Sequence, residues 1–335
     1  MTETAHKLEV AVADGVVPGA VAVVGDTERT SLVGAYGVTR LGGSVVTEAT
    51  RYDLASLTKV VGALPAVLAL AEAGELSLGD PVRRFFSQAG WMQTPSLGDA
   101  TLRQLLTHTA GLPAWKPLFA LTRSRLTALG NVLQTPLEHP PGRVVYSDLG
   151  FILLGATVER VSGTRLDAFV QRHVFGPLEM TETGYGVPEG AGVAATEDCG
   201  WRGRLLEGEV HDENAFVFDG VAGHAGLFGT ARDLARYAQA WLRLDAPFAS
   251  PERLREATRE HARGEGDRRA LGWALSDEGN PSTYGHTGFT GTSLRLDPAA
   301  GRFAVLLSNR VHPSRSCGEG IGALRATFHS SVFGS

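Results

Sequence analysis

Asp53-Leu54-Ala55-Ser56-Leu57-Thr58-Lys59-Val60-Val61-Gly62 sets a serine three residues before a lysine. Residues three apart on a helix share a face, so Ser56 Oγ and the Lys59 amine are expected to meet on one side of a first helical turn. A serine hydroxyl is a weak nucleophile until a neighbour takes its proton. A desolvated lysine can take it, whereas arginine cannot. The only lysines are Lys7, Lys59 and Lys116. Alone the motif is weak, and a surface lysine on an ordinary helix fits the same spacing.

On the N-terminal side, residues 3–14 read as a short amphipathic helix broken by Gly15 to Pro18. Residues 20–25 and 30–37 are short and β-branched, and Asp26 to Arg29 separate them in the manner of a hairpin. Asp53 is placed to cap the helix of Ser56 and Lys59, which is expected to run towards Gly74. Further helices are expected over 101–108, 117–134, about 148–161, 165–174, 230–243 and 251–262, with Ser147 or Asp148 capping the third. Pro136, Pro140, Pro141 and Gly142 form a breaker cluster, and residues 184–227 are glycine-rich and irregular. Strands return at 269–275, 282–286, 292–297 and 302–308, followed by a helix over about 318–331. Strands at both ends imply one sheet completed by both termini. The chain reads as one unit with an α/β lobe of about residues 1–58 and 265–335 and a mostly helical lobe of about 59–264.

Hydrophobic content of 43% and charged content of 20% over 335 residues are those of a soluble globular protein. A net charge of -5 leaves no basic footprint for nucleic acid. Cys199 and Cys317 form neither a metal-ligand spacing nor a disulfide framework. The start Met1-Thr-Glu-Thr-Ala-His-Lys7 lacks a basic stretch followed by an apolar run, so a cytoplasmic protein without a signal peptide is expected. The apolar run 60–71 is too short to span a bilayer.

Two further stretches complete a pattern: Tyr146-Ser147-Asp148 and His286-Thr287-Gly288-Phe289-Thr290-Gly291. With Ser56-Leu-Thr-Lys59 they resemble, in order, the three signatures of the serine β-lactamase and penicillin-binding-protein superfamily. The closer likeness is to class C β-lactamases, D-alanyl-D-alanine peptidases and family VIII carboxylesterases. Stretches 105–113, 220–228 and 308–313 add to it, so the resemblance runs over nearly the whole chain. It implies an α/β fold in which helices flank an antiparallel sheet beside an all-helical lobe. It also implies Ser56 as the acyl-accepting nucleophile, with Lys59 and Tyr146 sharing the proton work. The N–H groups of Ser56 and Phe289 would form the oxyanion hole, and Asp148, His286, Thr287 and Gly288 would face the substrate.

The chain departs from the family pattern twice. Tyr-x-Asn has become Tyr-Ser-Asp, and an ionised Asp148 can only accept hydrogen bonds. It is expected to keep Lys59 protonated, which favours Tyr146 as general base with Lys59 as electrostatic support. The third motif carries His286 in place of lysine, and neutral histidine anchors a carboxylate poorly. Both departures point towards simple esters; Arg295 or Arg310 is the candidate for restoring an anion site.

Plainer readings stand beside these. Tyr146 fits a core tyrosine at a helix start, and His286 between glycines fits turn chemistry. His108 reads as a structural hydrogen-bonder at a helix end. His211, Asp212, Glu213 and His224 match no helix-borne metal-ligand spacing, and their loop reads as a wall of the substrate cleft. Gly25, Gly34 and Gly37 punctuate a hairpin rather than a phosphate loop. The leading function is therefore a serine hydrolase that forms an acyl-enzyme on small esters, with little or no β-lactamase turnover. No metal or cofactor is expected. An amidase or D-alanyl peptidase acting on cell-wall fragments, a β-lactamase, and a non-catalytic penicillin-binding or scaffold protein are the alternatives.

Overall fold

The computed structural model describes residues 2–89, 96–187, 192–276 and 281–334. The first hairpin pairs β1 (Gly19–Asp26) with β2 (Thr30–Gly37). In the middle of the chain, β3 (Tyr52–Asp53), β4 (Gly184–Tyr185) and β7 (Leu227–Gly229) make a small sheet in the order β3–β7–β4. A second short pair joins β5 (Asp198–Cys199) to β6 (Arg204–Leu205). The C-terminal part supplies β8 (Ala262–Gly264), β9 (Asp267–Arg269), β10 (Ala274–Leu275), β11 (Tyr284–Thr287), β12 (Ser293–Asp297) and β13 (Arg302–Ser308). Among the described residues the main sheet runs β2–β1–β13–β12–β11–β10–β9–β8, and its neighbours all pair antiparallel. The two chain ends meet where β1 pairs with β13, from Ala20 opposite Ser308 to Asp26 opposite Arg302.

Side chains on a strand point alternately to opposite faces, and this alternation divides two cores. Val21 and Val23 of β1, with Phe303, Val305 and Leu307 of β13, join the large core shared with the helical region. Ala20, Ala22, Ala304 and Leu306 face the other way. They meet the terminal helices Thr2–Ala13 and Ile321–Phe333 through Leu8, Leu324 and Phe328. Burial on both faces explains why these strands read as near-continuous apolar runs. Residues 59–264 hold most of the described helices, yet helix Ala231–Arg243 packs against β1 and β13, and edge strand β8 also falls in that range.

Local departures from the sequence reading have identifiable causes. The helix of Lys59 is not uniform: a π-helical turn, Lys59–Ala63, runs into the α-helix Leu64–Glu72. Such turns concentrate at functional sites. Residues 117–134 form two helices, Leu118–Leu121 and Arg125–Leu133, because Thr122 is extended and Ser124 starts a new helix by accepting from the Thr127 N–H. Residues 269–275 are two strands rather than one. Gly272 adopts φ 77° and the Ala270 N–H donates to the Trp273 carbonyl at 3.0 Å, a turn that buries Leu271 and Trp273. The short strand β8 is absent from the sequence reading. Among the described residues no helix is long and apolar enough to cross a membrane.

Candidate active site

Ser56 stands at the turn between β3 and the Lys59 helix. The residue before it, Ala55, adopts φ 46°, a left-handed conformation that a residue with a Cβ seldom takes. Asp53 accepts from the Ala55 N–H through Oδ1 at 2.8 Å and from the His211 N–H through Oδ2 at 2.7 Å. It lies in strand β3 and binds the turn, so it does not cap the helix as the sequence suggested.

Lys59 is wholly buried. Its Nζ lies 2.9 Å from Ser56 Oγ, 2.7 Å from Asp148 Oδ1 and 3.3 Å from the His224 carbonyl. The ammonium donates to Ser56 Oγ and to the His224 carbonyl, and the Asp148 carboxylate is its ion-pair partner. Burial alone works against the charge, but the Asp148 carboxylate and Tyr146 outweigh it, and the Lys59 pKa is raised. Asp148 opens helix Asp148–Ser162, where the macrodipole favours a negative group.

Tyr146 packs around the same ammonium, its ring centroid 4.9 Å from Lys59 Nζ. The rings of His108 and His286 lie 4.6 Å and 5.9 Å away, and the Arg269 guanidinium 5.5 Å away. His108 fixes this segment from behind: its carbonyl accepts from the Val145 N–H at 2.9 Å, and its Nδ1 accepts from the Ser147 N–H at 3.0 Å. Burial, reinforced by the nearby cations, holds His108 well below the usual histidine range. The Ser147 hydroxyl donates to the Pro113 carbonyl at 2.7 Å rather than capping its helix.

The third motif follows from the sheet register. Among the described residues β10 pairs with Tyr284 and Gly285 of β11, and His286 and Thr287 lie beyond that pairing, where they line the same cavity as Ser56. His286 Nδ1 lies 2.8 Å from the Thr287 carbonyl. A carbonyl can only accept, so Nδ1 carries the proton. Burial, followed by the Lys59 and Arg269 charges, pushes the His286 pKa down to about 3. The imidazole is thus neutral, and Nε2 is its acceptor nitrogen. At Gly288 an added Cβ would come within 2.1 Å of Thr292 Oγ1 and 2.6 Å of the Leu54 carbonyl oxygen, so only glycine fits. The N–H groups of Ser56 and Phe289 have no acceptor among the described residues.

The expected site residues Ser56, Tyr146, His286, Thr287, Gly288 and Phe289 all line one cavity of about 820 Å³. Lys59 and Asp148 are not among the lining residues: Lys59 contacts Ser56 from behind, and Asp148 contacts Lys59. Arg295 lines the cavity with Nη2 2.7 Å from Ser276 Oγ, and Arg310 binds the Phe289 carbonyl at 2.7 Å. Arg269 and Arg325 line it as well, and no spacing relative to the three motifs marks either of them in the sequence. His211, Asp212 and His224 engage protein partners. His211 Nε2 lies 3.1 Å from Glu197 and His224 Nε2 2.9 Å from Asp212. Among the described residues no group of three or more His, Cys, Asp or Glu is arranged to hold a metal ion.

The chain is similar to known proteins over most of its length. A family model described as Beta-lactamase matches residues 5–326. A putative D-alanyl-D-alanine carboxypeptidase of Escherichia coli (strain K12) is 33% identical, over 79% of this chain and 70% of that protein. The solved penicillin-binding protein homologue from Pyrococcus abyssi has a TM-score of 0.79 at 22% identity, covering 100% of this chain and 77% of that one. EstCE1, a hydrolase with promiscuous acyltransferase activity, has a TM-score of 0.79 at 21% identity, covering 99% and 98%. The two structural likenesses concern the fold.

Proposed function

The chain belongs to the beta-lactamase family and is a serine hydrolase, and from that premise we propose that it forms its acyl-enzyme on Ser56 and prefers carboxylesters. In this reading Tyr146, as phenolate beside the Lys59 ammonium, takes the Ser56 proton while Oγ attacks the ester carbonyl carbon. The N–H groups of Ser56 and Phe289 receive the developing oxyanion. Collapse expels the alcohol, which leaves with the proton from Tyr146. Water then adds by the same route and releases the acid. Thr287, Gly288 and His286 form the wall along which the substrate lies, with Asp148 behind it on Lys59.

The observation that carries the ester preference is the state of His286. Its Nδ1–H is committed to the Thr287 carbonyl and the ring is neutral, so it supplies no positive charge to a substrate carboxylate. A substrate carboxylate would gain no ionic partner from this ring. A simple ester makes no such demand. Asp148, held against Lys59, likewise has no donor for a side-chain amide.

One observation favours a second reading, a peptidase or amidase for substrates ending in a carboxylate. Arg310 and Arg325 line the cavity, and among the described residues neither has a carboxylate partner; both donate to backbone carbonyls. The E. coli relative's description points the same way. A panel of nitrophenyl esters, nitrocefin and a D-Ala-D-Ala peptide, run with wild type and Ser56→Ala, separates the two. Esters exceeding the others by at least about tenfold in kcat/KM, with all turnover lost in Ser56→Ala, support the esterase. A peptide that outruns the esters replaces it with the peptidase. Absence of both turnover and Ser56 labelling by a fluorophosphonate ends both readings.

A further inference from the structure

The geometry points to Asp53 as a positioning residue that sets both halves of the oxyanion hole. It rests on the acyl-enzyme reading above, in which the Ser56 and Phe289 amides are the two donors. Asp53 is buried, 2% exposed. Its side chain spans two segments: Oδ1 accepts from the Ala55 N–H and Oδ2 from the His211 N–H. Its main chain reaches a third. The Asp53 carbonyl accepts from Thr290 Oγ1 at 2.7 Å, and the next carbonyl, of Leu54, accepts from Thr292 Oγ1 at 3.1 Å.

Each contact bears on one donor. Ala55 is held left-handed immediately before Ser56, and such a conformation persists only where the surroundings over-determine it. The Asp53 carboxylate is the group that binds the Ala55 amide. On the other side, Phe289 lies between Gly288, whose N–H donates to the Thr292 carbonyl at 2.7 Å, and Thr290, tied to Asp53. The His211 ring, carried on the backbone that Asp53 Oδ2 grips, stacks on Phe289 with centroids 5.6 Å apart at 27°. Asp53 touches neither the cavity nor Lys59 in any contact described above, so its influence runs through the two amides. Donors fixed before charge develops favour the transition state over the bound substrate. Loosening Asp53 therefore acts on kcat more than on KM.

The test compares a nitrophenyl ester with its thionoester counterpart, in which sulfur replaces the carbonyl oxygen. Sulfur is larger and a weaker acceptor, so preference for the oxygen ester reads the fit of the oxyanion hole. Asp53→Asn sets an NH2 donor against a backbone N–H. Thr290→Val leaves the carboxylate intact and removes the tie to the Phe289 side. Asp53→Asn is expected to lower kcat on the oxygen ester about 10–100-fold with KM within about threefold, and to shrink the oxygen preference about tenfold. Thr290→Val should move the preference in the same direction. Folded variants that keep the wild-type preference, whatever their melting temperatures, overturn the positioning role. If Asp53→Asn does not fold, Thr290→Val decides alone. A wild type with no preference for oxygen overturns the oxyanion-hole reading itself, and this inference with it.

Discussion

Lys59 Nζ and Asp148 Oδ1 stand 2.7 Å apart, the lysine with no exposed surface and the aspartate side chain 19% exposed. Burial of the ammonium would by itself favour the neutral amine, yet the carboxylate and Tyr146 reverse that balance and the charged form wins. A buried charge whose partner is removed becomes expensive. The pair therefore bears on stability as well as on chemistry, and it shifts the proton-accepting role in the proposed mechanism to Tyr146.

Ser56→Ala should lower kcat by at least about 10³, because what remains supplies only binding and oxyanion stabilisation. Mass spectrometry after treatment with an acylating inhibitor should place the adduct on the Ser56 peptide. An adduct on another serine, or full activity in the variant, would defeat the assignment.

Tyr146→Phe and Lys59→Ala should each approach the Ser56→Ala floor, and the double variant should fall little further, since groups on one proton path give non-additive losses. Steady-state kinetics on the three variants check this. Losses that multiply would mean the two residues act independently.

Asp148→Asn combined with His286→Lys should raise nitrocefin hydrolysis relative to nitrophenyl acetate hydrolysis. A charge-assisted hydrogen bond is worth roughly 1.5–3 kcal/mol, so each change should yield about one to two powers of ten in kcat/KM on the β-lactam. A wild type that already turns nitrocefin over at high rates would show that Arg310 or Arg325 supplies what His286 lacks.

Stability should fall with acid through buried histidines. Burial first, then neighbouring cations, pushes His286 and His329 down to about 3, whereas an unfolded histidine titrates near 6.5. Between about pH 6.5 and 3 the unfolded chain holds more protons, so stability is complete above this window and declines as pH falls through it. Each histidine adds a slope of at most about 1.4 kcal/mol per pH unit. Urea unfolding from pH 4 to 7 should show His329→Asn with a flatter slope than wild type. An unchanged slope would mean that His329 takes up its proton in the folded state.

Gly288→Ala should damage both stability and turnover. The new Cβ would meet Thr292 Oγ1 at 2.1 Å and the Leu54 carbonyl oxygen at 2.6 Å. Overpacking of this kind costs about 1–3 kcal/mol, and the displacement falls next to the Phe289 amide. A melting curve and a kcat both within error of wild type would show that the clamp between Thr292 and Leu54 has slack.

The sequence by itself carried the three motifs, the hairpin at the start and the strands at the end, because these are signals of short range. The apolar runs at β1 and β13 are legible as strands from their composition, and Ser56 and Lys59 share a face whatever surrounds them. Where local signals were ambiguous, tertiary packing decided. The turn at Gly272 breaks an apparently continuous strand in order to bury Leu271 and Trp273. Asp53, which reads as a helix cap, is drawn away by the amides of Ala55 and His211, the latter 158 residues distant in the chain. The charge on Lys59 and the neutrality of His286 were expected from the motifs, but the burial and neighbouring charges that act on both belong to the fold. Arg325 reaches the cavity from the C-terminal helix. A pattern along the chain records which residue types are present and at what spacing. Desolvation and charge pairing depend on distances through space, which only the packed sheet and helices set.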